Sequence, residues 1–242
     1  MTRAIICHKY KFIYCPIPKN ACTSVKIWIL KLYNDKRVKT LTGIPLVKYA
    51  HTNSTIKYIP VATINNPKYK DYYKFVIVRN PIDRCLSVYN DKFIQSYKRG
   101  DWKNSPWEKI ANKCNSKNGI SFSQFINCIL PNGKQTVYSE VHWKSQYLIG
   151  HFATVKYDSI IKMENLADDI DVLYEKLQIP SSYRNISIIN PTRHLENSNN
   201  LNQLLHTGNY QLKEVLPFSI LDKVRREISE KYKQDINYFG YN

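Results

Sequence analysis

Two strand-to-helix switches constrain this chain more than any other feature. The first is the stretch Phe12-Ile-Tyr-Cys-Pro-Ile-Pro-Lys-Asn-Ala-Cys-Thr-Ser-Val-Lys26. Its opening apolar run, Phe12 to Cys15, reads as a strand. Pro16 and Pro18 stop that strand and forbid an immediate helix. Thr23 or Ser24 then stands at an N-cap position, ahead of the apolar run Val25, Ile27, Trp28, Ile29 and Leu32. Strand, tight loop and helix N-terminus make an anion-binding arrangement, because the first amides of a helix point out of its end. Lys19 adds a full positive charge, and the two hydroxyls add donors. On this stretch alone, an ordinary connection with a surface lysine is an equal reading.

The second switch is Lys74-Phe-Val-Ile-Val-Arg79 followed by Asn80-Pro81. Four apolar, mostly β-branched residues predict a buried strand of parallel-sheet type. Asn80 suits an N-cap and Pro81 a first helical turn, with Leu86, Tyr89 and Phe93 at helical spacing. In a parallel sheet both switches lie beyond the carboxyl ends of strands, where ligands bind. Two such turns, each with a basic residue, predict a ligand with two separated anionic groups. Arg79 offers a planar fork to one of them, and Ser87 a hydroxyl from the next helix.

The remaining pattern is read in order. Residues 4–7 and 11–15 predict a hairpin, and residues 23–33 the first helix. Residues 34–70, broken by Gly43, Pro45, Pro60 and Pro67, read as loops with short elements. Helices are expected over 105–114, 121–130, 166–177 and 219–233, and a strand over 157–163. Strands alternating with helices predict an α/β fold, a mostly parallel central sheet flanked by helices, in a single domain over 1–242.

The formal net charge is +17, from 36 Lys and Arg against 19 Asp and Glu. That excess favours an anionic partner without choosing among nucleic acid, acidic polysaccharide, membrane surface and phosphorylated cofactor. Six cysteines include no C-x-x-C pair, which removes the usual zinc and thioredoxin signatures. No metal is expected. Cys114 and Cys128 are able to pair, and the sequence does not decide whether they do. The N-terminal apolar run is too short for a signal peptide, and no stretch reaches the roughly 18–20 apolar residues of a membrane span. These features predict a soluble cytoplasmic protein with reduced thiols and no membrane anchor. A P-loop kinase needs Gly-x-x-x-x-Gly-Lys-Ser/Thr, and this chain has no glycine before Gly43, so that reading is disfavoured. No helix-turn-helix, zinc finger or RNA-binding sheet pattern stands out, so no nucleic acid is expected. A basic nucleic-acid or polyanion binder without catalysis remains the alternative.

Both switches resemble motifs of the sulfotransferases that use 3′-phosphoadenosine-5′-phosphosulfate (PAPS), nearest to the carbohydrate sulfotransferases of chondroitin and dermatan type. The stretch from Ile13 to Lys26 looks like their 5′-phosphosulfate loop, and Val78 to Phe93 like their 3′-phosphate motif. Glu140-Val-His142-Trp143, Ile161 to Leu166 and Asp235 to Tyr241 are similar to later blocks of the family, in the same order. The resemblance implies a P-loop-like nucleotide-binding fold and sulfuryl transfer from PAPS to a hydroxyl, of a carbohydrate or acidic glycan, by in-line displacement. It implies that Lys19 contacts the 5′-phosphate and bridging oxygen, with Asn20, Ala21, Cys22, Thr23 and Ser24 around the phosphate. Arg79 and Ser87 hold the 3′-phosphate, and Arg193 closes over the nucleotide or meets an acidic acceptor. A histidine base takes the acceptor's proton, with His51 placed first and His142 second. Golgi members of the family carry an N-terminal anchor and stem, whereas this chain starts near its first strand, so a bacterial or viral origin is expected.

Overall fold

The computed structural model describes residues 2–96, 99–114, 120–130, 140–186 and 218–241. Backbone packing divides the chain into two compact units. One holds Met1–Arg79 with Gln146–Pro191, the other Asn80–Ser145 with Thr192–Asn242.

The first unit is built on a five-stranded sheet of β1 (Arg3–Cys7), β2 (Phe12–Cys15), β3 (Lys57–Pro60), β4 (Tyr73–Val78) and β5 (Ser159–Lys162), in the order β3-β1-β2-β4-β5. β1 and β2 form the expected hairpin, with Ile6 opposite Ile13. The sheet is mixed, which corrects the expectation of a mostly parallel one. β2–β4 and β4–β5 are parallel, while β1–β2 and β1–β3 are antiparallel. The reason is connection length: four residues between β1 and β2 allow only a hairpin, whereas a parallel pair needs a long crossover.

Helix α1 (Cys22–Leu32) follows β2 and is buried along most of its length. Trp28 stacks on Phe12 with ring centroids 5.6 Å apart, and its indole N–H donates to the Tyr183 carbonyl at 2.9 Å. Residues 34–70 hold more structure than their composition suggests. A ten-residue helix α2 (Gly43–Thr52) forms there, with Pro45 in its first turn, where a missing N–H costs nothing. Its only fully buried residue is Ala50, which is why no apolar stripe announced it. Helix α3 (Leu166–Lys176) covers the sheet through Leu166, Ile170, Leu173 and Tyr174.

The second unit is helical. Helix α4 (Pro81–Tyr89) starts on the expected Asn80 cap, whose side chain accepts from the Ile82 amide at 2.9 Å. It continues as a π-helical turn, Asn90–Gln95. Helix α5 (Pro106–Lys113) is capped by Ser105. The helix expected over 121–130 starts with a Ser121–Gln124 capping box and then widens into a π-helical segment, Phe125–Ile129. Helices α6 (Phe218–Lys231) and α7 (Lys233–Phe239) complete the described part. Tyr89, Phe93, Phe122, Phe125 and Trp143 form its aromatic core. Cys114 and Cys128 form a disulfide. Closing a loop of that length is worth roughly 3 kcal/mol, and the bond departs from the expectation of reduced thiols.

Candidate active site

The loop between β2 and α1 is a turn with its strain in a defined place. The Asn20 amide donates to the Ile17 carbonyl at 3.2 Å, with Pro18 second and Lys19 third in the turn. Lys19 has φ 71° and Ala21 has φ 55°. The left-handed region costs a non-glycine residue roughly 1–3 kcal/mol. A glycine at position 19 would remove that cost, so the lysine side chain is retained against backbone preference.

α1 begins two or three residues earlier than its hydroxyls suggest. Its N-cap is Ala21, which supplies no side-chain hydrogen bond, and the first helical bond runs from the Val25 amide to the Ala21 carbonyl at 3.0 Å. Thr23 and Ser24 therefore lie inside the first turn instead of capping it. The amides of residues 22–24 point out of the helix end, and no acidic residue stands in that turn. The arrangement is complementary to an anion. It is not a glycine-rich P-loop, because its left-handed positions are held by Lys19 and Ala21.

A buried amide network ties this loop to the end of β4. The Asn20 side-chain N–H donates to the Ile77 carbonyl at 3.0 Å and to Gln146 Oε1 at 2.5 Å. Gln146 in turn clamps the Arg79 backbone: its Oε1 accepts from the Arg79 amide at 3.0 Å and its Nε2 donates to the Arg79 carbonyl at 2.8 Å. Flipping the Asn20 amide would set its oxygen against two acceptors, so the orientation is fixed. Asn20 thus spends both its backbone amide and its side-chain amide on holding the loop. The Arg79 guanidinium donates to the Lys19 carbonyl at 3.3 Å, which brings Arg79 to the loop. Asn20, Gln146 and Arg79 are all buried. Gln146 had no signal beyond being a polar residue in a polar stretch.

His51 lies in the last turn of α2 and meets the first two turns of α1. Its Nδ1 lies 3.0 Å from Lys26 Nζ and its Nε2 3.0 Å from Thr23 Oγ1. A lysine ammonium only donates, so Nδ1 accepts, Nε2 carries the proton and Thr23 Oγ1 receives it. The imidazole lone pair is thereby committed to Lys26, which is poor preparation for a base. Lys26 itself is buried, and burial lowers its pKa from the ordinary lysine value.

The second unit holds Ser87, buried on α4, and His142. His142 Nδ1 lies 2.7 Å from Glu140 Oε1, and its ring meets Trp107 edge-on at 5.5 Å. The carboxylate fixes the Nδ1–H tautomer and places the lone pair on Nε2. The hydrogen bond from His142 holds the Glu140 carboxyl below the usual carboxylate range. The sign follows: the pair adds stability above the ordinary carboxylate range, and that stability is lost as pH falls through the lowered pKa of Glu140. The turn carrying His142 is anchored by Arg84, whose guanidinium donates to the Lys144 and Val141 carbonyls at 2.8 and 3.2 Å. Arg193 lies outside the described residues. No cluster able to hold a metal ion occurs among the described residues.

The chain belongs to the sulfotransferase family, whose sequence model matches residues 2–242. It is similar to carbohydrate sulfotransferase 11 of Rattus norvegicus, at 27% identity over 180 residues, covering 68% of this chain and 50% of that protein. Carbohydrate sulfotransferase 11 of Danio rerio is 25% identical over 253 residues, covering 98% and 66%. Carbohydrate sulfotransferase 14 of Danio rerio is 26% identical over 242 residues, covering 96% and 60%. The chain therefore spans between half and two thirds of these relatives' lengths. No solved structure matches it. The expectation of a cytoplasmic protein, with a bacterial origin, is corrected by these relatives, all of them animal carbohydrate sulfotransferases. No helix among the described residues is long and apolar enough to cross a membrane.

Proposed function

We propose that the protein transfers a sulfuryl group from PAPS to a hydroxyl of a carbohydrate acceptor. One observation carries this reading: in a chain of the sulfotransferase family, an uncapped, acid-free helix end is fronted by a strained Lys19 whose carbonyl is held by Arg79. Those residues fit an anionic nucleotide. Lys19 and the amides of residues 22–24 would hold the 5′-phosphosulfate, with Thr23 Oγ1 oriented by His51. Arg79 would hold the 3′-phosphate, and Ser87 and Arg193 keep the roles that sequence resemblance gives them. PAPS, when bound, supplies the activated sulfuryl group. Lys19 and the helix end stabilise negative charge on the departing phosphate, and a base accepts the acceptor's hydroxyl proton.

The geometry favours His142 over His51 as that base. His142 is oriented by a carboxylate, whereas the lone pair of His51 is committed to Lys26. His142→Ala is expected to lower kcat by ~10²–10⁴-fold, with His51→Ala costing less. Steady-state kinetics on both variants check this, and a larger loss for His51→Ala would reverse the assignment.

Titration calorimetry with adenosine 3′,5′-bisphosphate tests the donor site. The wild type is expected to bind it, and Arg79→Ala to bind about 10- to 100-fold more weakly, the worth of a charge-assisted hydrogen-bonding fork. Absence of nucleotide binding, together with salt-sensitive binding of any polyanion, would favour the non-catalytic reading instead.

A further inference from the structure

The end of the sheet away from the Lys19 loop carries a second basic feature. A cleft of about 690 Å³ is lined by Lys9, Lys11, Lys70, Asp71, Asp158 and Lys176, with Tyr10, Tyr72 and Tyr73 among its other walls. Topology sets its place. Lys11 immediately precedes β2, Lys70 to Tyr72 precede β4 and Asp158 precedes β5, so the cleft lies at the amino ends of the three strands that run parallel. Lys19 and Arg79 follow the carboxyl ends of β2 and β4. Six residues of β4 separate the two ends by about 20 Å.

Three of the four lysines of this cleft are not used up by the fold. Lys9 is committed, since its ammonium donates to the Leu32 carbonyl at 2.8 Å, capping α1, and lies over the Tyr10 ring. Lys11, Lys70 and Lys176 are exposed, and none makes an ion pair among the described residues. Their mutual repulsion is relieved by a bound anion. The lining is nevertheless not uniformly basic. Asp71 and Asp158 are exposed within it, and Asp158 accepts from the Lys74 amide at 2.6 Å. Duplex DNA presents one phosphate charge per about 1.7 Å of axis, which would set phosphates against these carboxylates. A saccharide that mixes sulfate or carboxylate groups with hydroxyls suits a lining that mixes lysines with acids. Half-buried tyrosines add ring surface and phenol groups for sugar faces and hydroxyls.

We infer that this cleft is a binding site for an anionic saccharide chain, separate from the donor loop. The choice of a saccharide rests on the acceptor class proposed above; the cleft and its lysines do not. Lys11→Glu, Lys70→Glu and Lys176→Glu combined in the full chain test it, with a size-defined chondroitin sulfate decasaccharide as probe in calorimetry at fixed salt. Surface charge pairs of this kind predict a roughly 10- to 100-fold weaker Kd for the triple variant, and a flatter dependence on salt. The corresponding triple glutamine variant is expected to fall between. Adenosine 3′,5′-bisphosphate is expected to bind wild type and variant alike. If the nucleotide binds and the triple variant keeps the wild-type affinity for the decasaccharide, the cleft assignment is overturned. If the variant loses the decasaccharide while no form binds nucleotide, the cleft stands and the transferase reading falls. Tighter binding of a duplex DNA of matched charge, lost equally in the triple variant, overturns the choice of a saccharide.

Discussion

Lys19→Ala is expected to lower sulfuryl transfer by ~10²–10³-fold, the cost of losing one preorganised charge-stabilising donor. The effect is large because the side chain is fixed at its root. Pro18 precedes it, the Asn20 amide closes the turn onto Ile17, and the Asn20 side chain locks the turn to Ile77 and Gln146. A lysine on a flexible loop would lose part of its contribution to ordering the loop at each turnover, whereas the backbone that carries this one is held beforehand. Lys19→Gly separates charge from backbone. At φ 71° glycine carries no steric penalty, so the glycine variant is expected to be about 1 kcal/mol more stable than the alanine variant and equally inactive. Initial rates with PAPS and a chondroitin acceptor, alongside urea unfolding of both variants, check the two halves separately. A glycine variant with the wild-type rate would remove Lys19 from the chemistry.

Much of this site was legible because its signals are local. Pro16, Pro18 and the apolar runs around them gave β2, the loop and α1, and the Asn80-Pro81 pair gave the start of α4. What local pattern did not supply were partners distant in sequence. Gln146 clamps Arg79 across 67 positions and Lys26 holds His51 across 25, and neither has a motif of its own. The cap lies ahead of the residues that announce it, for a related reason. Thr23 and Ser24 are good capping residues, yet left-handed Ala21 starts the helix before them, and the sequence offers no glycine to mark that conformation. Position between the two switches places His51 ahead of His142. The preference for His142 proposed above rests instead on hydrogen-bond direction, which depends on Glu140 and Lys26 and not on position. The apolar runs of β2 and β4 point to a mostly parallel sheet; β3, partly exposed with the sequence Lys-Tyr-Ile-Pro, has too weak a pattern to announce an antiparallel edge.

Arg84→Met is expected to destabilise the second unit by roughly 2–5 kcal/mol, through two part-buried carbonyls that each lose a charged donor. By sequence alone this residue reads equally as a helix-surface group or an ion-pair partner. It is instead 1% exposed, and its guanidinium reaches the carbonyls of Val141 and Lys144, which bracket His142. Methionine approximates its bulk, so packing changes little and the hydrogen bonds are what is lost. Against a whole-domain stability of about 5–15 kcal/mol, such a loss is a large fraction. Ser145 Oγ on Asp235 at 2.5 Å and the Tyr232 hydroxyl on the Trp143 carbonyl continue to hold the same turn, so it is loosened and not released. Arg84→Lys retains the charge but has no planar fork to serve both carbonyls, and its loss is expected to be about half. Urea unfolding of the full chain, followed by tryptophan fluorescence, reads this directly, since Trp102 and Trp143 lie in the core of this unit. Kinetics add the second readout. Freed of its anchor, the His142–Glu140 pair loses its fixed tautomer, so kcat is expected to fall with little change in KM for the donor. An unfolding midpoint and kcat both equal to wild type in Arg84→Met would mean that the turn carrying His142 is held by other contacts.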